Sequence, residues 1–114
     1  MEDRFSQQLK KGILEMLVLK LICDGPNYGY ELLNRLREQS KLLFQLKEGT
    51  LYPILYRLED DGMINASWTA GEGKIAPKKI YTATEKGREE NLRRQICWSE
   101  FRTVVDAMLK EESK

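Results

Sequence analysis

Apolar positions recur at helical spacing in four stretches of the chain, and between the third and fourth the period drops to two. The clearest stripe lies in the third stretch, where Leu51, Ile54, Leu55 and Leu58 stand at i, i+3, i+4 and i+7. Its other side holds Thr50, Tyr52, Pro53, Tyr56 and Arg57: rings, a hydroxyl and a guanidinium, with no run of solvating Glu and Lys. Such a side is either a mixed surface or one that lies in a DNA groove. Asp60, Asp61 and Gly62 predict the helix end, with Gly62 suited to a left-handed cap. The start stays open. From Gly49 or Thr50, Pro53 falls in the first turn at little cost; from near Lys47 it falls in the second turn and bends the helix.

The first stretch, Leu9 to Cys23, predicts a helix stopped by Asp24, Gly25 and Pro26. Only Glu15 and Lys20 are polar between Ile13 and Cys23, so this helix is expected to be buried on more than one side. Asn27 is the expected N-cap of a second helix running to about Gln39, with Leu32, Leu33 and Leu36 as its stripe. Tyr28 and Tyr30 then fall in the first turn, where free N–H groups attract anions; they are read as phosphate contacts or as amphipathic packing residues. A short link over residues 40–47 joins this helix to the third, the arrangement of a helix-turn-helix.

Beyond Gly62, Ile64, Ala66 and Trp68 alternate with Asn65, Ser67 and Thr69, the period of a half-buried strand. Ile80 to Thr84 is a second β-branched and aromatic run, and the stretch with Gly71 and Gly73 between them makes a long hairpin tip. Lys74, Lys78 and Lys79 cluster at this tip with Glu72 nearby. Alone they describe a solvated loop; behind a helix-turn-helix they describe a wing that grips phosphates. Thr84 and Glu85 are the expected N-cap and first residue of a last helix reaching about Glu111. Trp98, Phe101, Val105 and Met108 form a 3-4-3 seam on it, widened by Leu92, Ile96, Val104 and Leu109. That seam has no core of its own. Packing it against Leu14 and Leu17 of the first helix, from the same or a partner subunit, predicts a homodimer. The expected fold is mainly α with a small β-hairpin: a winged helix-turn-helix over residues 1–84 and a C-terminal dimerisation helix over 85–114.

Composition narrows the chemistry. The length of 114 residues is one domain's worth, and 41% apolar with 32% charged residues is the balance of a folded, soluble chain. A net charge of +1 says nothing about partners, so any nucleic-acid assignment rests on where the charges sit. Histidine is absent and no C-x-x-C occurs, which removes the usual zinc sites and the commonest general base. Nothing convergent remains for an enzyme, and no cofactor is expected. Cys23 and Cys97 both fall in apolar helical stretches and read as small buried hydrophobes. The stretch Ile13–Cys23 is too short to span a bilayer and MEDRFSQQLKKG is not a signal peptide, so the expected setting is the cytoplasm.

Three segments, NYGYEL (27–32), GTLYPILYRLEDDGMI (49–64) and PKKIYTATEKG (77–87), resemble the PadR family of bacterial transcriptional regulators in order and spacing. The tyrosine-proline pair in the middle segment is the most specific part. The resemblance implies a winged helix-turn-helix homodimer on a palindromic operator, usually a repressor, often released by a phenolic or drug-like molecule. In the compact subfamily, which has one short C-terminal helix, a tryptophan at the place of Trp98 lines a central pore and stacks on flat ligands. The resemblance places Met16 and Lys20 opposite it and Arg102 one turn beyond; a dimer-core tryptophan without ligand is the alternative. Two departures stand out. Ile80, Tyr81 and Ala83 occupy positions where two aromatics and a leucine are usual, and Lys47 stands where a small polar cap is usual.

For DNA binding, Thr50 and Arg57 are the expected contacts to base edges, and Tyr52, Pro53 and Tyr56 offer rings to sugar or thymine methyl groups. Tyr28, Lys78 and Lys79 are expected on phosphates. The competing class is a winged-helix module for protein contacts without DNA binding, against which Lys74, Lys78 and Lys79 count.

Overall fold

Asp3 opens the first helix, α1 (Arg4–Cys23), by accepting the N–H of Ser6 at 2.8 Å, and that bond holds its carboxyl below the usual range. The computed structural model describes residues 3–110. Helix α1 therefore begins five residues before the expected Leu9, at a carboxylate cap that precedes the apolar stretch. It is followed by β1 (Asn27–Tyr28), α2 (Gly29–Gln39), α3 (Glu48–Asp60), β2 (Ile64–Trp68), β3 (Lys79–Ala83) and α4 (Glu85–Lys110). The expected extension of α4 to Glu111 lies outside the described residues.

The core is built on the apolar side of α3. Leu51, Ile54, Leu55 and Leu58 are buried against Val18, Leu19 and Ile22 of α1, Leu32 and Leu36 of α2, and Ile64 and Tyr81 of the sheet. Leu14, expected at a dimer surface, belongs to this core at 6% exposure. The α1 helix is more than one-sided because α2, α3, β3 and α4 all pack on it.

The sheet has three strands in the order β1-β3-β2, all antiparallel. The β2–β3 hairpin is the expected wing. The third strand, β1, was not expected, and it corrects the place of Asn27. Pairing of Asn27 with Tyr81 and Tyr28 with Ile80 holds both residues extended, so the N-cap of α2 is Tyr28. The Tyr28 N–H is accepted by the Glu31 carboxylate at 2.7 Å, and the buried Asn27 side chain works elsewhere. Its amide donates to the carbonyls of Leu21 and Gly25, and its oxygen accepts from Arg35 at 2.6 Å. One asparagine thus ties the end of α1 to α2.

Between α2 and α3 the chain turns through Lys41 and Leu42, both at positive φ (53° and 71°), with Phe44 dropped into the core and Leu42 and Leu43 left exposed. Helix α3 starts at Glu48, so Pro53 is its sixth residue, in the second turn, and has no N–H for the Gly49 carbonyl. The end of α3 is as expected. Gly62, at φ +74°, donates to Glu59 at 2.9 Å and Met63 donates to Leu58 at 2.9 Å, the two bonds of a Schellman cap.

Thr84 joins this cap to α4. Its hydroxyl donates to the Gly62 carbonyl at 2.7 Å and accepts the Gly87 N–H at 3.0 Å, so it caps α4 as expected. The near half of α4 lies close: a Cβ on the buried Gly87 would stand 1.9 Å from the Met63 carbonyl oxygen. From Ser99 to Lys110 every residue is exposed, and the molecule measures 70 Å along its longest axis. The two cysteines are half-buried and unpaired with each other, less enclosed than expected; burial raises the Cys23 thiol above its ordinary pKa.

Candidate nucleic-acid interface

Successive helical residues turn by about 100°. With Leu51, Ile54, Leu55 and Leu58 inward, Gly49, Pro53, Tyr56 and Asp60 make the outermost line of α3, all of them exposed. Thr50 and Arg57 stand on one shoulder; Tyr52 and Glu59, half-buried, stand on the other. Asp60 and Asp61 close the far end, so attraction for a polyanion must come from the wing and from the Arg57 shoulder.

The Tyr52 shoulder faces α2 and the wing. A Cβ on Gly29 would meet the Tyr52 hydroxyl oxygen at 2.9 Å, so glycine there lets the first turn of α2 approach the ring. The Tyr52 and Tyr56 rings lie 6.4 Å apart. The Lys79 ammonium stands 5.7 Å from the Tyr56 ring and 5.6 Å from that of Tyr81, and Lys78 stands 5.1 Å from the ring of Tyr28. Each contact contributes about 0.5–1 kcal/mol at an exposed site. Lys78 and Lys79 are therefore held on tyrosines at the loop end of the two strands. Of the three lysines expected at the tip, Lys74 lies in the turn closed by the Ile75 N–H on the Glu72 carbonyl at 2.9 Å, and Lys78 and Lys79 lie where the loop re-enters the strands. β3 begins at Lys79, and Lys78 already pairs with Thr69.

A concavity of about 700 Å³ results, lined by Tyr28, Tyr30, Tyr52, Trp68, Lys78 and Lys79 among others. Beneath it Tyr81 is buried, and desolvation, with smaller contributions from Tyr52, Tyr56 and Glu59, pushes its hydroxyl up to about 12.

The other shoulder is organised by a residue not singled out as functional, Glu15. Its carboxylate lies 3.7 Å from the Arg57 guanidinium and 3.8 Å from that of Arg94 on α4. Arg94 also meets Glu90 at 3.4 Å, and Glu90 pairs with Arg93, whose hydrogen bond holds the Glu90 carboxyl below its usual range. Arg57 is thus turned toward α1, although it remains largely exposed and its pair is of the weak surface kind. The signal for Glu15 in the sequence was slight. It is the one carboxylate in an apolar run.

A separate cleft of about 470 Å³ opens between α1, α2 and α4, lined by Met16, Leu17, Lys20, Leu36, Phe44 and Trp98 among others. Three of the four expected effector residues meet there. Arg102 is exposed and lies outside it. Among the described residues no group of His, Cys, Asp and Glu is arranged for a metal, and no helix is long and apolar enough to cross a membrane.

A helix with a ring-and-guanidinium outer side, a preceding helix packed across its start, and a lysine-bearing hairpin beside it define a winged helix-turn-helix. The chain belongs to the Transcriptional regulator PadR-like family, whose pattern matches residues 18–93. It is 31% identical over 78 residues to the negative transcriptional regulator PadR of Bacillus subtilis, covering 68% of this chain and 42% of that protein. The crystal structure of a PadR family transcriptional regulator from Eggerthella lenta superposes with a TM-score of 0.82 at 29% identity, over 93% of this chain and 89% of the other. A PadR-like transcriptional regulator from Bacillus cereus gives 0.78 at 30% identity, over 92% and 99%. The chain is a DNA-binding transcriptional regulator and not an enzyme.

Proposed function

We propose that the chain acts in the cytoplasm as a homodimeric repressor on a palindromic operator and releases DNA when a flat aromatic or drug-like molecule binds. The observation that carries the DNA-binding part is the outer side of α3, flanked by Arg57 on one shoulder and by Lys78 and Lys79 on the other. Thr50 and Arg57 contact base edges, Arg57 exchanging Glu15 for the DNA. Pro53, Tyr52 and Tyr56 lie on sugar or thymine methyl groups, and Tyr28, Tyr30, Lys74, Lys78 and Lys79 on phosphates. Residues 1–84 form the DNA-binding unit and 85–114 the dimerisation helix, through Trp98, Phe101, Val105 and Met108 with Leu17 of α1. Repression is supported by the B. subtilis relative, itself a negative regulator. The effector enters the cleft of Met16, Lys20 and Trp98, where thioether and indole suit a planar ring.

A mobility-shift assay on duplex DNA from upstream of the chain's own coding sequence separates this function from a protein-contact module. Arg57→Ala is expected to weaken operator binding by about tenfold and mixed-sequence duplex less. Lys79→Ala weakens both and lowers the salt slope by about one. Equal operator affinity of wild type and Arg57→Ala at fixed salt would remove Arg57 from base contact. For the effector, tryptophan quenching is measured across phenolic acids and planar cationic drugs. Quenching that survives in Trp98→Ala excludes the cleft.

A further inference from the structure

The register of the wing makes Trp68 unusual. Ile64, Ala66 and Trp68 share the sheet face that covers α3, and the ladder pairs Ala66 with Tyr81 and Trp68 with Lys79. Ile64 is buried and Ala66 half-buried. By Trp68 the two strands have run past the core, so this side chain, on the inward face, is still 68% exposed. A tryptophan is among the side chains with most to gain from being covered.

Its surroundings specify the cover. Lys79 is its cross-strand neighbour, Lys78 and four tyrosines share its concavity, and the one carboxylate there, Glu31, is engaged by the Tyr28 N–H. The indole N–H is a donor only. A cavity of rings, ammonium groups and a lone donor fits an anion carried on an apolar frame, which describes a deoxyribose-phosphate chain.

We propose that Trp68 is a DNA-contacting residue: with Lys79 and Tyr56 it clamps the sugar–phosphate backbone of one strand of duplex DNA beside α3. The ring covers a deoxyribose and the indole N–H donates to a phosphate oxygen. The clamp rests on α3 being the DNA-reading helix. Because Trp68 sits off the outermost line of α3, it grips without reading sequence.

The full chain is titrated with its upstream duplex and, separately, with a mixed-sequence duplex of equal length. Trp68→Ala is expected to weaken both by the same factor, about tenfold, the scale of one hydrogen bond to a charged group. The salt slope stays at the wild-type value, since no charge is removed, which distinguishes it from Lys79→Ala. The emission lost in Trp68→Phe, taken as the difference from wild type, is expected to change on adding either duplex. Failure of the wild type to bind either duplex overturns the DNA-binding function itself. Wild-type affinity in Trp68→Ala with unchanged Trp68 emission overturns the clamp alone. A loss confined to the upstream duplex overturns its sequence-independent character.

Discussion

The wing side of α3 and the far half of α4 both expose large apolar side chains, but in different company. Beside α3, Tyr28 and Tyr56 each have a lysine within 6 Å of the ring, and the tyrosine beneath is buried. On α4, Phe101, Val104, Val105, Met108 and Leu109 are more than half exposed, in a segment where every described residue from Ser99 on is exposed. Rings interleaved with cations make a surface for a polyanion. Aliphatic and aromatic residues at helical spacing make a surface for another helix. The contrast shows that exposed apolar area is informative only together with the charges next to it.

The contrast is broken most sharply by placing charge on the α4 side. The double variant Phe101→Asp, Val105→Asp is expected to sediment as a monomer and to bind the upstream duplex at least about 100-fold more weakly, as one half of a bivalent contact is lost. A dimer that persists in sedimentation would show that α4 is not the interface. Next in size is Gly87→Ala, which tests the fastened half of the same helix. With a Cβ directed into the Met63 carbonyl, stability in urea is expected to drop by about 2–3 kcal/mol. On the α3 side, Tyr81 carries a pH signature. Its hydroxyl, raised to about 12, ionises later in the folded chain than in the unfolded one. Its contribution is complete below about pH 10 and lost as pH rises toward 12, and Tyr81→Phe is expected to flatten stability across that window. The smallest effect belongs to Glu15→Gln, which removes the carboxylate shared by Arg57 and Arg94 and leaves Arg94 with Glu90. Its stability should change by less than about 1 kcal/mol. A larger loss in chemical denaturation would mean that the network does more than a surface pair.

Features with a local cause were legible in the chain. The Leu51–Leu58 stripe, the Gly62 cap and Thr84 ahead of α4 each follow from residues a few positions apart, and all appear as expected. Apart from the early start of α1 at the Asp3 cap, the errors involve partners distant in sequence. A two-residue strand has no period to detect, so β1 was hidden until Tyr81 paired with Asn27 across more than fifty residues. Leu14 was given to a dimer because the number of helices converging on α1 cannot be counted from α1 alone. Of the candidate interface residues, Tyr28, Lys78 and Lys79 converge through the pairing of β1 with β3, and Tyr52 meets them from α3. Arg57 was recognised as exposed, but its turn toward α1 depends on Glu15, a carboxylate from another helix.

Thr84 also has a mechanical meaning. One hydroxyl fastens the last carbonyl of the α3 cap and the first turn of α4, and the Lys86 ammonium on the Asp61 carbonyl and the Thr84 N–H on the Met63 carbonyl fix the same junction. Helix α4 has 26 residues, a lever arm of about 39 Å. Tilting it by about five degrees at this pivot would carry its free end roughly 3 Å, close to the rise of one base pair. Angular accuracy at Thr84 therefore becomes positional accuracy wherever the far end of α4 is held.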